Sequence, residues 1–124
     1  MDFQYDSTRN PPAPFIELSV SDLRGLQQTK ISFQLDTGSD FSALPAEVGL
    51  LQLPTVDRVT EGAFKPDPRV ERRYAAYLEM PGGFSVLTKF LAWDEQYGLA
   101  GLDVPNQLRI ILDGPRLQLT LEEP

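Results

Sequence analysis

The sequence predicts a mainly β domain, a small closed barrel with one short helix near its C-terminal end. Three observations point there. Apolar residues recur in short runs that alternate with polar ones, as in Phe15-Ile16-Glu17-Leu18-Ser19-Val20 and Ile31-Ser32-Phe33-Gln34-Leu35. Eleven prolines and nine glycines fall between those runs, which favours strands and turns over helices. Only one stretch, Leu102 to Leu108, has the pattern of a substantial helix. At 124 residues the chain suits a single core, and closing the sheet would hide its edges.

In order along the chain, residues 1–14 are polar and end in Asn10-Pro11-Pro12-Ala13-Pro14, which predicts an extended, loosely held arm before a domain spanning residues 15–124. Phe15 to Val20 is the first strand, Ser21 to Gly25 supplies turn chemistry, and Ile31 to Leu35 returns antiparallel. Phe41 to Leu44 is a third strand, and Pro45 to Gly49 has the proline and glycine of one helical turn. Thr55 to Ala63 and Val70 to Met80 read as a hairpin with its tip at Lys65-Pro66-Asp67-Pro68. After a turn at Pro81-Gly82-Gly83, Phe84 to Ala92 is another strand. Asp103 is placed to cap the helix at Leu102–Leu108. Ile110 to Leu112 and Leu117 to Leu121 flank Asp113-Gly114-Pro115 as a final hairpin.

Composition removes many functions. The net charge of −7 argues against nucleic acid or an anionic membrane as partner, because phosphate binding needs clustered cations. Arg69, Arg72 and Arg73 are too few and too interleaved with acids to change this. With no cysteine there are no disulfides, thiolate zinc sites or cysteine nucleophiles. With no histidine there is no Ser-His-Asp chemistry and no histidine metal site. No apolar run reaches membrane-spanning length, and the first residues lack the pattern of a secretory signal. With Met1 as the native start, a cytoplasmic protein is expected.

One position breaks the apolar pattern in a way that asks for a reason. The strand ending at Leu35 runs into Asp36-Thr37-Gly38-Ser39-Asp40. A carboxylate beside a buried strand is costly unless donors satisfy it. Thr37 and Ser39 bring hydroxyls and Gly38 lets the backbone approach closely. A carboxylate so placed can act as a general base, and two facing each other can share a proton between base and acid roles. The chain has a single Asp-Thr-Gly, so the partner carboxylate would come from a second copy across a two-fold axis.

Leu35-Asp36-Thr37-Gly38-Ser39 resembles the active-site motif of aspartic proteases, and a single motif in so short a chain resembles the retropepsin-like, retroviral-type branch of single-domain subunits. Leu99-Ala100-Gly101-Leu102-Asp103 resembles that family's second conserved block. The likeness spans roughly residues 15–121. It implies an acid protease, a hydrolase active as a symmetric homodimer on a peptide or protein substrate, with no cofactor. Asp36 would be half of a catalytic pair, and Thr37 would bond to its symmetry mate. Gly38, Ser39 and Asp40 would complete the loop, with Gly38 and Asp40 offering polar groups to an extended peptide. Gly62, Ala63 and Phe64 would form the flap that covers the substrate, and Leu99 and Tyr97 would line the pocket beside the pair. The sequence departs from the family at Leu102, where an arginine is usual, at the flap, which has Pro66 and Pro68 in place of a glycine-rich tip, and at the small Ala100. An alternative reading keeps the fold as a weakly active or inactive dimerisation and peptide-binding module, or as a protease dedicated to its own precursor or one partner.

Other acidic residues have plainer readings. Asp57, Glu61, Asp67 and Glu71 suggest a solvated hairpin face, with none of the spacing of a calcium loop. Trp93-Asp94-Glu95 could be a substrate-side loop, although an aromatic at a loop edge more often packs on the surface, and Asp113-Gly114 reads as a turn.

Overall fold

The computed structural model describes residues 1–47, 53–61, 66 and 69–123. Its strands are β1 (Asp2–Gln4), β2 (Phe15–Ser21), β3 (Gln28–Leu35), β4 (Ser42–Pro45), β5 (Thr55–Glu61), β6 (Arg69–Met80), β7 (Phe84–Trp93), β8 (Gly98–Ala100), β9 (Arg109–Asp113) and β10 (Gln118–Glu122). The sheet runs β2-β3-β8-β4-β7-β6 and closes where Ser19 to Ser21 of β2 pair with Glu79 to Tyr77 of β6. The result is a six-stranded barrel without open edges along the closed rim. The mainly β, closed architecture expected from alternation and turn spacing is present.

Alternation explains which side chains fill it. Along β7, Val86, Thr88 and Phe90 are buried while Ser85, Leu87 and Lys89 face out. Phe33 and Phe90 are fully buried, with ring centroids 6.1 Å apart, and Leu44, Ala76, Leu78 and Leu119 complete the interior. Removing each phenylalanine ring from water contributes about 2–3 kcal/mol. The Phe33 ring lies on the bare backbone of Gly98, where any Cβ would collide with it. A glycine in this short strand is therefore a packing requirement.

β6 is long because it serves two partners on one edge. Tyr77 to Glu79 close the barrel, while Arg69 to Tyr74 pair with β5, with a register shift between Thr55 and Asp57. The β5–β6 hairpin thus extends from the barrel. Residues 62–65, 67 and 68, which include most of the expected tip, lie outside the described residues.

A second sheet, β1-β10-β9, seals one side of the core with Leu119 and Leu121, helped by Phe3, Tyr5 and Ile110. The expected loose arm is thus tied in. Asp2 to Gln4 pair with Thr120 to Gln118, the Tyr5 N–H donates to the Leu117 carbonyl at 2.8 Å, and Asp6 bridges to Ala13.

The helix expected over Leu102–Leu108 is not there. No α-helix occurs among the described residues, and that stretch holds only a 3-10 turn at Pro105–Gln107. Proline starts the turn well but contributes no N–H to continue it, and Asn106 is a poor helix former. Leu108 is already extended, with φ −131° and ψ 161°. Arg109 and Ile110 are captured by pairing with Glu122 and Leu121 of β10 before a second helical turn can form. Asp103 accordingly caps nothing, since the residue at the cap position is Val104, which makes no side-chain cap bond. Pro45, expected to open a helical turn, ends β4, and residues 48 and 49 lie outside the described residues. No helix among the described residues is long and apolar enough to cross a membrane.

Candidate active site

β3 and β4 are consecutive in sequence but not neighbours in the sheet. The short strand β8 lies between them, parallel to β3 through Phe33↔Gly98 to Leu35↔Ala100, and antiparallel to β4 at Ala43↔Leu99. The loop 36–41 must therefore pass over the end of β8. That detour carries Asp36-Thr37-Gly38-Ser39-Asp40.

The loop is braced from below. The Asp36 N–H donates to the Ala100 carbonyl at 3.0 Å, and the Leu102 N–H donates to the Ser39 carbonyl at 2.9 Å. The Gly101 N–H donates to Ser42 Oγ at 2.9 Å, and that hydroxyl donates onward to Asp103 Oδ1. Gly101 lies against the Phe41 carbonyl, and a Cβ there would also sit 2.9 Å from the Ser39 carbonyl oxygen. Only glycine allows this approach. Ser42 is 1% exposed, so its two hydrogen bonds are made out of reach of water.

Above the brace, the loop orders itself. Gly38 N–H donates to Asp36 Oδ1 at 2.9 Å, Ser39 N–H donates to the Asp36 carbonyl at 3.3 Å, and Ser39 Oγ donates to the Phe41 carbonyl at 2.7 Å. Asp36 and Ser39 are half-buried, while Thr37, Gly38 and Asp40 are exposed. The carboxylate is thus fixed through one oxygen beside an outward-facing loop tip. Among the described residues a single chain presents one such carboxylate, with no catalytic aspartate pair. Asp40 has no ion-pair partner among the described residues. Where the resembled family has arginine, the backbone N–H of Leu102 ties the loop instead.

A cavity of about 130 Å³ opens beside the loop, walled by Ser39, Phe41, Ala43, Leu91, Trp93 and Leu99. Ala43, Leu91 and Leu99 are side-by-side residues on adjacent strands. Larger depressions of about 520 Å³ at the β2–β3 turn and about 360 Å³ around Lys30 and Pro45 contain none of the expected site residues, so size alone does not mark the site. Of the two residues expected at a pocket, Leu99 lines the small cavity. Tyr97 does not; it stands behind Trp93, accepting the indole Nε1–H on its carbonyl at 2.8 Å. Gly62, Ala63 and Phe64 lie outside the described residues.

On the β5–β6 hairpin, Arg73 donates two hydrogen bonds to the Asp57 carboxylate at 2.7 and 2.6 Å, and Lys89 adds a third at 3.0 Å. Hydrogen bonds from Arg73 and then Lys89 pull the Asp57 pKa down to about 2. Arg73 is raised in turn, chiefly by its hydrogen bond to Asp57, with a smaller contribution from the charge of Asp103. Among the described residues no group of three or more acidic side chains is placed to hold a metal ion.

Sequence reasoning missed Ser42 as a brace, whereas Trp93, weighed there as part of a substrate-side loop, forms a cavity wall. Ser42 meets Gly101 and Asp103 across 59 and 61 residues of chain, so no local pattern marks it. Asp103 has a different role from the cap expected of it. Gly101 was visible as part of the Leu-Ala-Gly block, but its contact with Phe41 was not. No protein-family model matches the chain, and no curated protein matches it in sequence.

Proposed function

We propose that the protein is an aspartic endopeptidase of the retropepsin-like type, working as a homodimer whose two Asp36 carboxylates face each other over one water. The observation that carries this reading is the braced loop: a half-buried carboxylate fixed by the Gly38 N–H, with Thr37 and Gly38 exposed beside it for a second copy to meet. The rest of the reaction follows from carboxylate chemistry. Two carboxyl groups at close range hold one proton between them. The ionised one removes a proton from water as its oxygen bonds to the peptide carbonyl carbon, and the protonated one donates to the carbonyl oxygen. Collapse breaks the C–N bond, the proton returns to the leaving amine, and no covalent enzyme intermediate forms. The small apolar cavity beside Ser39 takes one substrate side chain.

The experiment is digestion of a diverse peptide library from acidic to neutral pH at high protein concentration, with Asp36→Asn alongside. Wild type should cleave with an acidic optimum, and the variant should lose at least about a thousandfold in rate while staying folded. Equal cleavage by both proteins would sink the proposal, as would no cleavage by a folded wild-type dimer.

A further inference from the structure

Trp93 is the chain's single tryptophan, and it forms one wall of the cavity beside Ser39. Its indole is held from two directions. Nε1–H donates to the Tyr97 carbonyl at 2.8 Å, and the two rings meet edge to face with centroids 5.2 Å apart. Tyr97 is held in its turn, edge to face against Phe15 at 5.4 Å and with the Arg9 guanidinium 4.9 Å from its ring centroid. Arg9 also lies 4.1 Å over Phe15 and pairs with Asp6 at 3.6 Å. A ladder of cation, phenol and indole therefore runs from the N-terminal segment to the cavity wall. Rotating the indole away would break its hydrogen bond to the Tyr97 carbonyl and its edge-to-face contact with the Tyr97 ring.

The cavity's size and lining say what it accepts. Its volume is about 130 Å³, below the about 150 Å³ of an apolar cavity that admits benzene. No charged side chain is among the described lining residues, and the one hydroxyl, that of Ser39, is committed to the Phe41 carbonyl. Ala43 leaves room that Trp93 then limits.

We propose that Trp93, positioned by Tyr97 and Arg9, is the specificity-determining wall of this cavity and restricts it to a branched aliphatic side chain (valine, isoleucine or leucine) of the bound peptide. The proposal rests on the reading of the loop as a peptide-binding and cleaving site. Arg9 is a positioning residue, acting through Tyr97.

The test uses fluorescein-labelled alanine-based hexapeptides without tryptophan, made non-cleavable by a reduced central bond. Each position in turn carries Val, Ile, Leu or Phe. Binding is read by anisotropy for wild type, Trp93→Ala, Trp93→Phe, Arg9→Ala and Arg9→Lys, and unlabelled peptides are titrated against Trp93 emission. Wild type should favour the three aliphatic residues over Phe by about tenfold or more at one position, with a shift in Trp93 emission. Trp93→Ala should reverse that preference. Trp93→Phe, which keeps a ring, should retain part of the discrimination, so the test survives a poorly folded alanine variant. Arg9→Ala should weaken discrimination by a smaller factor, and Arg9→Lys should restore it, which lost packing alone would not explain. An unchanged Val-to-Phe ratio in both Trp93 variants overturns the proposal, as does peptide binding that leaves Trp93 emission unmoved, or no binding by wild type at any position. Cleavable versions of the same peptides separate the two claims. Selective binding without cleavage keeps the Trp93 proposal and removes the peptidase, while cleavage without size selection does the reverse.

Discussion

The loop 36–41 and the β5–β6 hairpin both stand out from the barrel, and they are held in opposite ways. The loop is tied by neutral hydrogen bonds, to the Ala100 carbonyl and from the Leu102 N–H, and its far end by the buried Ser42 hydroxyl, which accepts from the Gly101 N–H, with one carboxylate, Asp103, at the end of the chain of bonds. The hairpin is tied at its base by charge: Asp57 between Arg73 and Lys89, on side chains that water reaches. Neutral bonds out of water keep their strength as pH and salt vary, whereas partly exposed ion pairs weaken with both. Under the proposed acid mechanism, the Asp36 carboxylate would gain from the first kind of support. The hairpin has support that acid can loosen.

The largest expected effect comes from forcing the brace apart. Gly101→Ala places a methyl against the Phe41 carbonyl and should destabilise the protein by about 3 kcal/mol in urea titration, taking any cleavage with it. Ser42→Ala removes the hydroxyl but adds no bulk. It strands the Gly101 N–H and leaves Asp103 without its donor, at about 2 kcal/mol, and Ser42→Thr should recover most of the loss. If Ser42→Ala proves neutral, the brace is not what holds the loop.

Thr88 supplies the matching control. It is as buried as Ser42, at 2% against 1% exposed, but its Oγ1 has no partner among the described residues. Thr88→Val should therefore stabilise by about 1 kcal/mol in the same titration. Opposite signs for two buried hydroxyls would show that partners, not burial, decide the outcome.

The smallest effect at neutral pH is expected at the hairpin. Asp57 titrates near 2 in the folded protein, against 3.8 ordinarily. A depressed folded pKa gives stability that is fully present above the unfolded value and lost as pH falls through the folded one. The difference in stability between wild type and Asp57→Asn should hold down to about pH 4 and vanish toward about pH 2, and it should shrink in high salt. A difference independent of pH would mean that shape, not charge, holds the hairpin base.

Local pattern was enough for most of the barrel. Strands such as Phe15–Ser21 and Phe84–Trp93 announce themselves because one face is buried and the side-chain period is two. Asp36 was legible because a carboxylate interrupting that period is costly without a purpose. The strands that escaped, Asp2–Gln4 and Gly98–Ala100, are three residues each, too short to show any period. The helix over Leu102–Leu108 failed for the converse reason. A seven-residue pattern is a weak claim, and pairing of Arg109 and Ile110 with β10 overrode it.

The sequence by itself determined a mainly β chain with a carboxylate-bearing loop after its second long strand, and it excluded cysteine and histidine chemistry outright. The tertiary structure alone decided that β8 slips between β3 and β4, that Ser42 meets Gly101 and Asp103, and that Trp93 rather than Tyr97 walls the cavity. Alternation and turn chemistry are properties of neighbours in the chain. Bracing and cavity walls join residues brought together only when the barrel closes, and no local pattern encodes which distant strand will arrive.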